Sequence, residues 1–273
     1  MQLKEKFKLD WLADFRDPWT TIGYHKELKL TKASQKKHEV LEQKVLQTAD
    51  QIIVTSNVTK QEFLQKTNKP ITVITNGFDV EKTQAASLNK KFTLAHIGSL
   101  LAKRNPLTLW KVLQDLTIEN EDFKKCFQLK LVGAVSEVVI KSIKENGLEN
   151  YLNLVSYVSH TEAIKIQKES QVLLLIEIDS PETKCIIPGK LFEYMVSNRP
   201  IIALGPNETD VEIIINQTNT GNYFKYSDYQ NLKNIILSHF NAFLSGNLHT
   251  NPIGLQKYSR KALTKALASL INK

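Results

Sequence analysis

Two short stretches bring together the residue types needed to hold a phosphorylated ligand. In "HIGSLLAKRNP", His96 to Pro106, Gly98 and Ser99 offer a close approach of the backbone, and Lys103 and Arg104 supply adjacent cations. Such cations hold a diphosphate by charge-assisted hydrogen bonds, and a glycine removes the side chain that would keep the backbone away from it. In "CIIPGKLFEYMVSNRPIIAL", Cys185 to Leu204, Pro188 and Gly189 open a helix whose first amides are free for an anion. Lys190 adds charge at that end, and Glu193, one turn on, could accept hydroxyl hydrogens from a ribose, as acidic residues do in dinucleotide-binding folds. Plainer readings stand beside these: a strand-to-helix turn with exposed basic residues, and a solvated or salt-bridged glutamate. Neither stretch is a Walker phosphate loop, a motif absent from the whole sequence.

Strand ends must carry these residues. From Lys91 onward, β-branched runs at "KFTLAHIGS", "FQLKLVG", "YLNLVS", "VLLLIEI" and "PIIAL" alternate with helical stretches at "PLTLWKVLQDL", "SEVVIKSIKEN", "TEAIKIQKES", "GKLFEYMVS" and "VEIIINQ". That alternation implies crossover units and a doubly wound parallel sheet covered on both faces. Ligands of such sheets bind beyond the carboxyl ends of the strands, where the loops at Gly98 and before Gly189 fall. Two histidines here read as structural: His96 packs within a strand, and His160 sits at a helix start that Ser159 or Thr161 would cap.

Residues 1–79 differ in character. They offer a strand near 9–15, a lysine-rich connection "YHKELKLTKASQKK", a helix "HEVLEQKVLQTA", a strand "QIIVTS", a helix "VTKQEFLQKT" and a strand "ITVI". This pattern is the end of a second α/β domain. "TNGFD", Thr75 to Asp79, carries an Asn-Gly turn signal, and the polar stretch to Lys91 reads as the interdomain connection. The chain therefore divides into 1–79, a remnant of an amino-terminal α/β domain, 80–254, a Rossmann-like domain, and 255–273. The last segment holds an amphipathic helix, "YSRKALTKALASLI", expected to pack back on the first domain.

At 273 residues, 42% hydrophobic and 23% charged, the chain has the composition of a soluble globular protein. Its apolar runs are too short to span a bilayer and residues 1–20 hold no signal cleavage site, so a cytoplasmic location is expected. Cys126 and Cys185 form neither a metal spacing nor a disulfide framework. The net charge of +8 points to an anionic partner, which could be nucleic acid, an acidic membrane surface or a phosphorylated small molecule. Nucleic acid is the weakest of these, because aromatics do not interleave with the basic clusters.

"PGKLFEYMVSNRPIIAL" resembles the nucleotide-sugar signature of family 4 glycosyltransferases, and "HIGSLLAKRNP", "TNGFD" and "WLADFRDPW" are similar to segments found in the same order in bacterial members. The resemblance covers nearly the whole chain. It implies a GT-B type fold, with two Rossmann-like domains facing each other across a cleft, here with a truncated amino-terminal domain. It also implies transfer of a sugar, with retention of configuration, from a nucleotide-sugar donor to a glycan or lipid-linked acceptor in cell-surface polysaccharide synthesis. No metal and no cofactor enter that reaction. By position, the resemblance implies that Glu193 binds the ribose, that Lys103 and Arg104 lie near the diphosphate, and that Gly98 and Ser99 approach the phosphates or sugar. The amides around Ile187, Pro188, Gly189 and Lys190 would complete the anion site. Many members carry a further glutamate eight residues earlier that touches the donor sugar; here that position is Cys185, with Glu182 as a nearby substitute.

In the resembling proteins "WLADFRDPW" lies late in the amino-terminal domain, which sets Asp14, Arg16 and Asp17 at the cleft edge as candidate catalytic residues. This chain starts just before that segment, so a fragment is expected, or a missing amino-terminal half on another chain. The basic stretch from His25 to Lys37 would meet an anionic membrane at its inner face, where lipid-linked acceptors reside. Two other functions are alternatives: a non-catalytic nucleotide-sugar-binding fragment or partner subunit, and a sugar-nucleotide epimerase of similar fold, which would bring to the cleft paired carboxylates and histidines that the sequence does not show.

Overall fold

A computed structural model describes residues 1–79 and 87–272. The first part runs α1 (Gln2–Phe7), β1 (Leu12–Phe15), α2 (Lys32–Thr48), β2 (Gln51–Val54), α3 (Asn57–Leu64) and β3 (Ile71–Val73). The second opens with β4 (Phe92–Ile97), α4 (Leu107–Glu119), α5 (Glu121–Cys126), β5 (Phe127–Val132), α6 (Glu137–Glu145), β6 (Leu152–Val155) and α7 (His160–Glu169). It continues with β7 (Val172–Ile176), α8 (Gly189–Met195), β8 (Ile201–Leu204), α9 (Asp210–Thr218), β9 (Gly221–Phe224), α10 (Tyr229–Leu244) and α11 (Arg260–Ile271). Residues 80–86 of the expected interdomain connection, and with them the expected boundary at 80, lie outside the described residues.

Two parallel sheets result. The first has the order β1-β2-β3 and the second β6-β5-β4-β7-β8-β9. Every pairing in both is parallel, as the alternation of short β-branched runs with helices requires. In the six-stranded sheet, β4 and β7 are buried at every position, so both pack on both faces; β7 is an uninterrupted apolar run, while β4 also buries Thr93 and His96. One face carries Trp110, Leu113 and Phe240 against Phe92 and Leu129. The other carries Phe192, Tyr194 and Ile215 against Leu173 and Leu175. In the smaller sheet, Ala13 and Phe15 of β1 point into a core with Leu46, Ile52 and Phe63, while Asp14 and Arg16 point outward.

Several boundaries depart from expectation for identifiable reasons. The strand near 9–15 begins only at Leu12, and a short helix, α1, precedes it; Lys4 of that helix donates to the carbonyl of Thr48 and pairs with Asp50. The lysine-rich connection is partly helical, because Thr31 caps α2 by accepting from the amide of Ser34, and a 3-10 turn covers Gly23–Leu28. β9 is a short strand of mixed character that signals little, whereas α10 is amphipathic with apolar residues at helical spacing, a signal left unread; their buried faces, Phe224, Leu232, Ile236 and Phe240, close the sheet. The turn expected at Asn76-Gly77 does not form: residues 74–77 run without a turn from β3 into an isolated bridge between Phe78 and Ser259. α11 therefore docks on this connecting segment, where Arg260 donates its amide to the carbonyl of Phe78 and pairs with Asp79 at 2.6 Å.

The carboxyl ends of the two sheets face each other. Asn57 and the amide of Val58, at the start of α3, donate to the buried carboxylate of Asp210 at the start of α9, at 2.8 and 3.1 Å. From the turn after β1, Lys26 pairs with Glu182 and Glu27 with Lys103. All these partners lie just past strand ends, so the space between them is the crevice in which open α/β sheets bind ligands.

Candidate functional site

The strand order of the larger sheet reverses between β4 and β7, and there the ladder opens. These strands pair only through Leu94 with Val172 and Ala95 with Leu173. Beyond that point side chains replace the backbone partners. His96 Nδ1 donates to the carbonyl of Leu174 at 2.9 Å, the amide of Ile97 donates to Tyr194 Oη at 3.0 Å, and Lys190 Nζ donates to the carbonyl of Ile97 at 3.0 Å. A carbonyl can only accept, so the imidazole proton sits on Nδ1 and Nε2 faces the Lys190 ammonium at 3.4 Å. Burial, reinforced by that ammonium, pushes His96 down to about 3, which keeps it neutral. The expectation of a hydrogen-bonded structural histidine is met.

Lys190 passes close to Gly98, where a side chain would crowd its ammonium. A Cβ on Gly98 would lie 2.8 Å from Lys190 Nζ, and its φ of +118° is a conformation other residues rarely adopt. The glycine thus serves an internal approach by a cation. Burial, with Arg104 nearby, lowers Lys190 to about 8. Arg104 and Lys190 line one small cavity of ≈ 50 Å³ together with Glu177, Thr183, Ile186 and Pro188. Among the described residues neither cation has a carboxylate at ion-pair distance. Two unneutralised cations on one cavity make a seat for an anion.

The other expected members are spread around this cavity. Lys103 is exposed and paired with Glu27, so the 3-10 turn Ala102–Arg104 sends the two neighbouring cations to different places. Ser99 is exposed at the mouth of the loop, and Ile187 is a core residue beneath Pro188, which caps α8 ahead of Gly189. Glu193 faces α7, accepting from His160 Nε2 and Gln167 Nε2, both at 3.1 Å. It also lines a larger cavity of ≈ 560 Å³ with Phe78, Asp79 and Arg260, a volume in the range of small-molecule sites. Ser159 does cap α7, accepting from the amide of Glu162, so His160 serves at a helix start and also meets Glu193.

Asp14, within β1, and Arg16 and Asp17, just beyond it, are exposed. Arg16 donates to Asn76 of the connecting segment and lies 4.0 Å from Asp14, while Asp17 accepts from Tyr24 at 3.1 Å. Cys185 is buried, and burial pushes its thiol up to about 11, so it is neither a nucleophile nor an anion. Glu182, the candidate substitute, is held by Lys26. One residue escaped the reading of the sequence. Glu177 follows β7 directly, is 7% exposed, and projects into the small cavity. Its signal was an acid closing the apolar run "VLLLI".

Among the described residues, no group of three or more His, Cys, Asp or Glu side chains is placed to hold a metal ion, and no helix is long and apolar enough to cross a membrane.

No protein-family model and no curated protein matches the sequence. Solved structures do match the fold. A sucrose-phosphate synthase from Thermosynechococcus elongatus is similar with a TM-score of 0.69 and 15% identity, over 99% of this chain and 69% of the synthase. HepE from Anabaena, in complex with UDP, is similar with a TM-score of 0.71 and 13% identity, over 98% of this chain and 74% of HepE. The pneumococcal O-GlcNAc transferase GtfA, in complex with UDP and GlcNAc, has a TM-score of 0.59 and 16% identity, over 82% of this chain and 45% of GtfA. The chain has their GT-B type fold of Rossmann-like parallel sheets, as its four motifs led one to expect.

Proposed function

We propose that the chain binds a nucleotide sugar where its larger sheet reverses order and transfers the sugar to a glycan or lipid-linked acceptor, as a retaining glycosyltransferase of family 4. It does so without metal or cofactor. The observation that carries this reading is the convergence of Arg104 and Lys190 on one cavity, with neither cation in an ion pair among the described residues. Sugar transfer breaks the bond between the anomeric carbon and a diphosphate oxygen, and negative charge gathers on the departing diphosphate. Two fixed cations at that place stabilise the charge as it develops. The nucleoside then extends toward Glu193 and the larger cavity, where the carboxylate accepts from ribose hydroxyls.

UDP, present in the HepE and GtfA complexes, is the first nucleotide to test. The exposed Lys29, Lys32 and Lys37, on the turn after β1 and on α2, supply the contact with an anionic membrane surface that a lipid-linked acceptor calls for. A second reading, nucleotide-sugar binding without transfer, is favoured by one residue: the neutral buried thiol of Cys185 stands where a carboxylate would touch the sugar.

Calorimetric titration with UDP, GDP and ADP in excess chelator tests the first reading. We expect one of the three to bind, and Arg104→Ala to weaken it. Binding that needs added magnesium, or that ignores Arg104, rejects the site. Donor binding with no transfer to glycan or lipid extracts favours the second reading.

A further inference from the structure

Glu177 stands in the small cavity with no assigned task. Its backbone amide donates to the carbonyl of Leu204 at 2.9 Å and its carbonyl accepts from Tyr226 Oη at 2.6 Å, so the position is fixed from both sides. Its carboxyl Oε2 lies 3.0 Å from Tyr223 Oη, which also lies 2.8 Å from the carbonyl of Pro206. Gly205 makes room for this contact: a Cβ there would sit 2.7 Å from Oε2 and 2.3 Å from the Tyr223 hydroxyl. Tyr223 has one proton and two acceptors within reach. If the nearer, acceptor-only carbonyl takes that proton, the second contact needs a proton on Glu177. Burial supplies the condition by pushing the carboxyl up to about 8, so at neutral pH Glu177 is an uncharged acid.

In that form Oε2 donates to Tyr223 and Oε1 is left as an acceptor on the cavity wall. The other polar groups on that wall are the two cations and Thr183, whose hydroxyl donates to the carbonyls of Ile178 and Ser180 at 2.7 and 2.8 Å. Phosphate oxygens suit the cations. An acceptor suits a hydroxyl, and the nucleotide sugar offers hydroxyls beside its diphosphate. The cavity, at ≈ 50 Å³, is too small for a whole ring, so a ligand reaches its wall only by its edge, with phosphate oxygens toward the cations and one hydroxyl toward Glu177.

We infer that Glu177 is a specificity-determining residue of the donor site, accepting a hydrogen bond from one hydroxyl of the transferred sugar while Tyr223 holds it in place. The inference rests on the proposed function above and adds a sugar contact to it. It also bears on Cys185: the carboxyl function missing there is supplied from eight positions earlier in the same connection between β7 and α8.

The test is a calorimetric comparison of UDP with UDP-glucose, UDP-galactose and UDP-N-acetylglucosamine, on the parent chain, Glu177→Gln and Glu177→Met. The parent's tightest sugar nucleotide is the reference. Glutamine keeps a donor for Tyr223 and an acceptor for the sugar, so it should match the parent within about twofold. Methionine keeps the length and loses the acceptor; it should weaken the sugar nucleotide roughly tenfold and leave UDP within about twofold. Equal losses for UDP and the sugar nucleotide would assign Glu177 to the fold or the phosphates and overturn the inference. No loss in the methionine variant would overturn it as well. The glutamine variant guards against a methionine variant that does not fold, since a selective loss there rules out a neutral acceptor. Should the parent bind GDP or ADP in place of UDP, the same comparison is made with that nucleotide and its sugars; failure to bind any of the three nucleotides would overturn the proposed function itself, an outcome separate from the others.

Discussion

Lys103 and Arg104 are neighbours in sequence and of equal charge, yet they meet opposite fates. Arg104 turns inward to a cavity that already holds Lys190 and has no carboxylate partner among the described residues. Lys103 turns out to the rim, where its side chain is 69% exposed and paired with Glu27 from the facing domain. A 3-10 turn advances about 120° per residue, so adjacent side chains on it cannot share a target. The inner cation is unneutralised and partly screened from water, which leaves its charge available to a ligand. The rim cation is neutralised and solvated, which leaves little.

The sharpest test of that contrast is Arg104→Ala. Charge-assisted hydrogen bonds to a diphosphate contribute about 1.5–3 kcal/mol, so the variant should bind UDP roughly ten- to a hundredfold more weakly by calorimetry. Thermal unfolding of the variant should stay close to the parent, because Arg104 is half-buried and makes no ion pair to lose.

Lys190 sharpens the contrast through pH. Burial lowers its ammonium to about 8, against 10.5 when free, so the folded chain releases this proton more readily than the unfolded one. A bound diphosphate favours the charged form, and affinity should therefore fall as pH rises through 8, by about tenfold between pH 7 and pH 9. Stability should move the other way. The cost of burying a charged lysine is present below pH 8 and is relieved as pH rises from 8 toward 10.5, where only the unfolded chain still holds the proton. In Lys190→Met the pH dependence of UDP binding should shrink over this range and keep only the part that comes from Glu177 on the same wall, whose carboxyl burial pushes up to about 8. A slope equal to the parent's would place the titrating group elsewhere.

Glu193 should show a smaller effect, because its carboxylate already has partners. Both oxygens are engaged, by His160 and Gln167, and a ribose must share or displace those contacts. We expect Glu193→Ala to weaken UDP about three- to tenfold, with 2′,3′-dideoxy-UDP losing a similar amount against the parent and little more against the variant. Independent, additive losses would separate the carboxylate from the ribose.

These differences mark where the sequence was legible. The two-sheet architecture and nearly all elements of the larger sheet followed from alternating β-branched and helical runs, whose periodicity is local. β9 did not, because four residues of mixed character, Gly221–Phe224, carry little pattern; α10 was legible in the helical spacing of Leu232, Ile236 and Phe240 and went unread. Glycine and cation types marked the loop after β4 correctly as one end of the crevice. What the loop does with them was not visible: Gly98 admits Lys190 from ninety-two positions away, and Glu27 reaches Lys103 from the other domain. Glu177 was the hardest to read, since an acid at a strand end is usually solvated and only the tyrosines of β9 and its following turn make this one buried.

The smallest expected effect belongs to the rim. Exposed ion pairs contribute about 0.2–1 kcal/mol and are screened by salt, so removing Lys103 should cost UDP affinity less than about threefold at 0.15 M salt. Glu27→Gln asks the converse, because it frees Lys103 without removing it. If Lys103 is held away from the ligand only by this pair, the variant should bind UDP slightly more tightly, and the gain should vanish as salt is raised. If the contrast between the two cations is set by the direction of the turn, Glu27→Gln should leave affinity unchanged and Lys103→Ala should do nearly the same. We expect the second outcome, since Gly98 and Lys190 fill the approach by which a rim side chain would enter. A loss from Lys103→Ala as large as that from Arg104→Ala would break the comparison, and would mean that the rim closes over the ligand with Lys103 leaving Glu27 to join the inner pair.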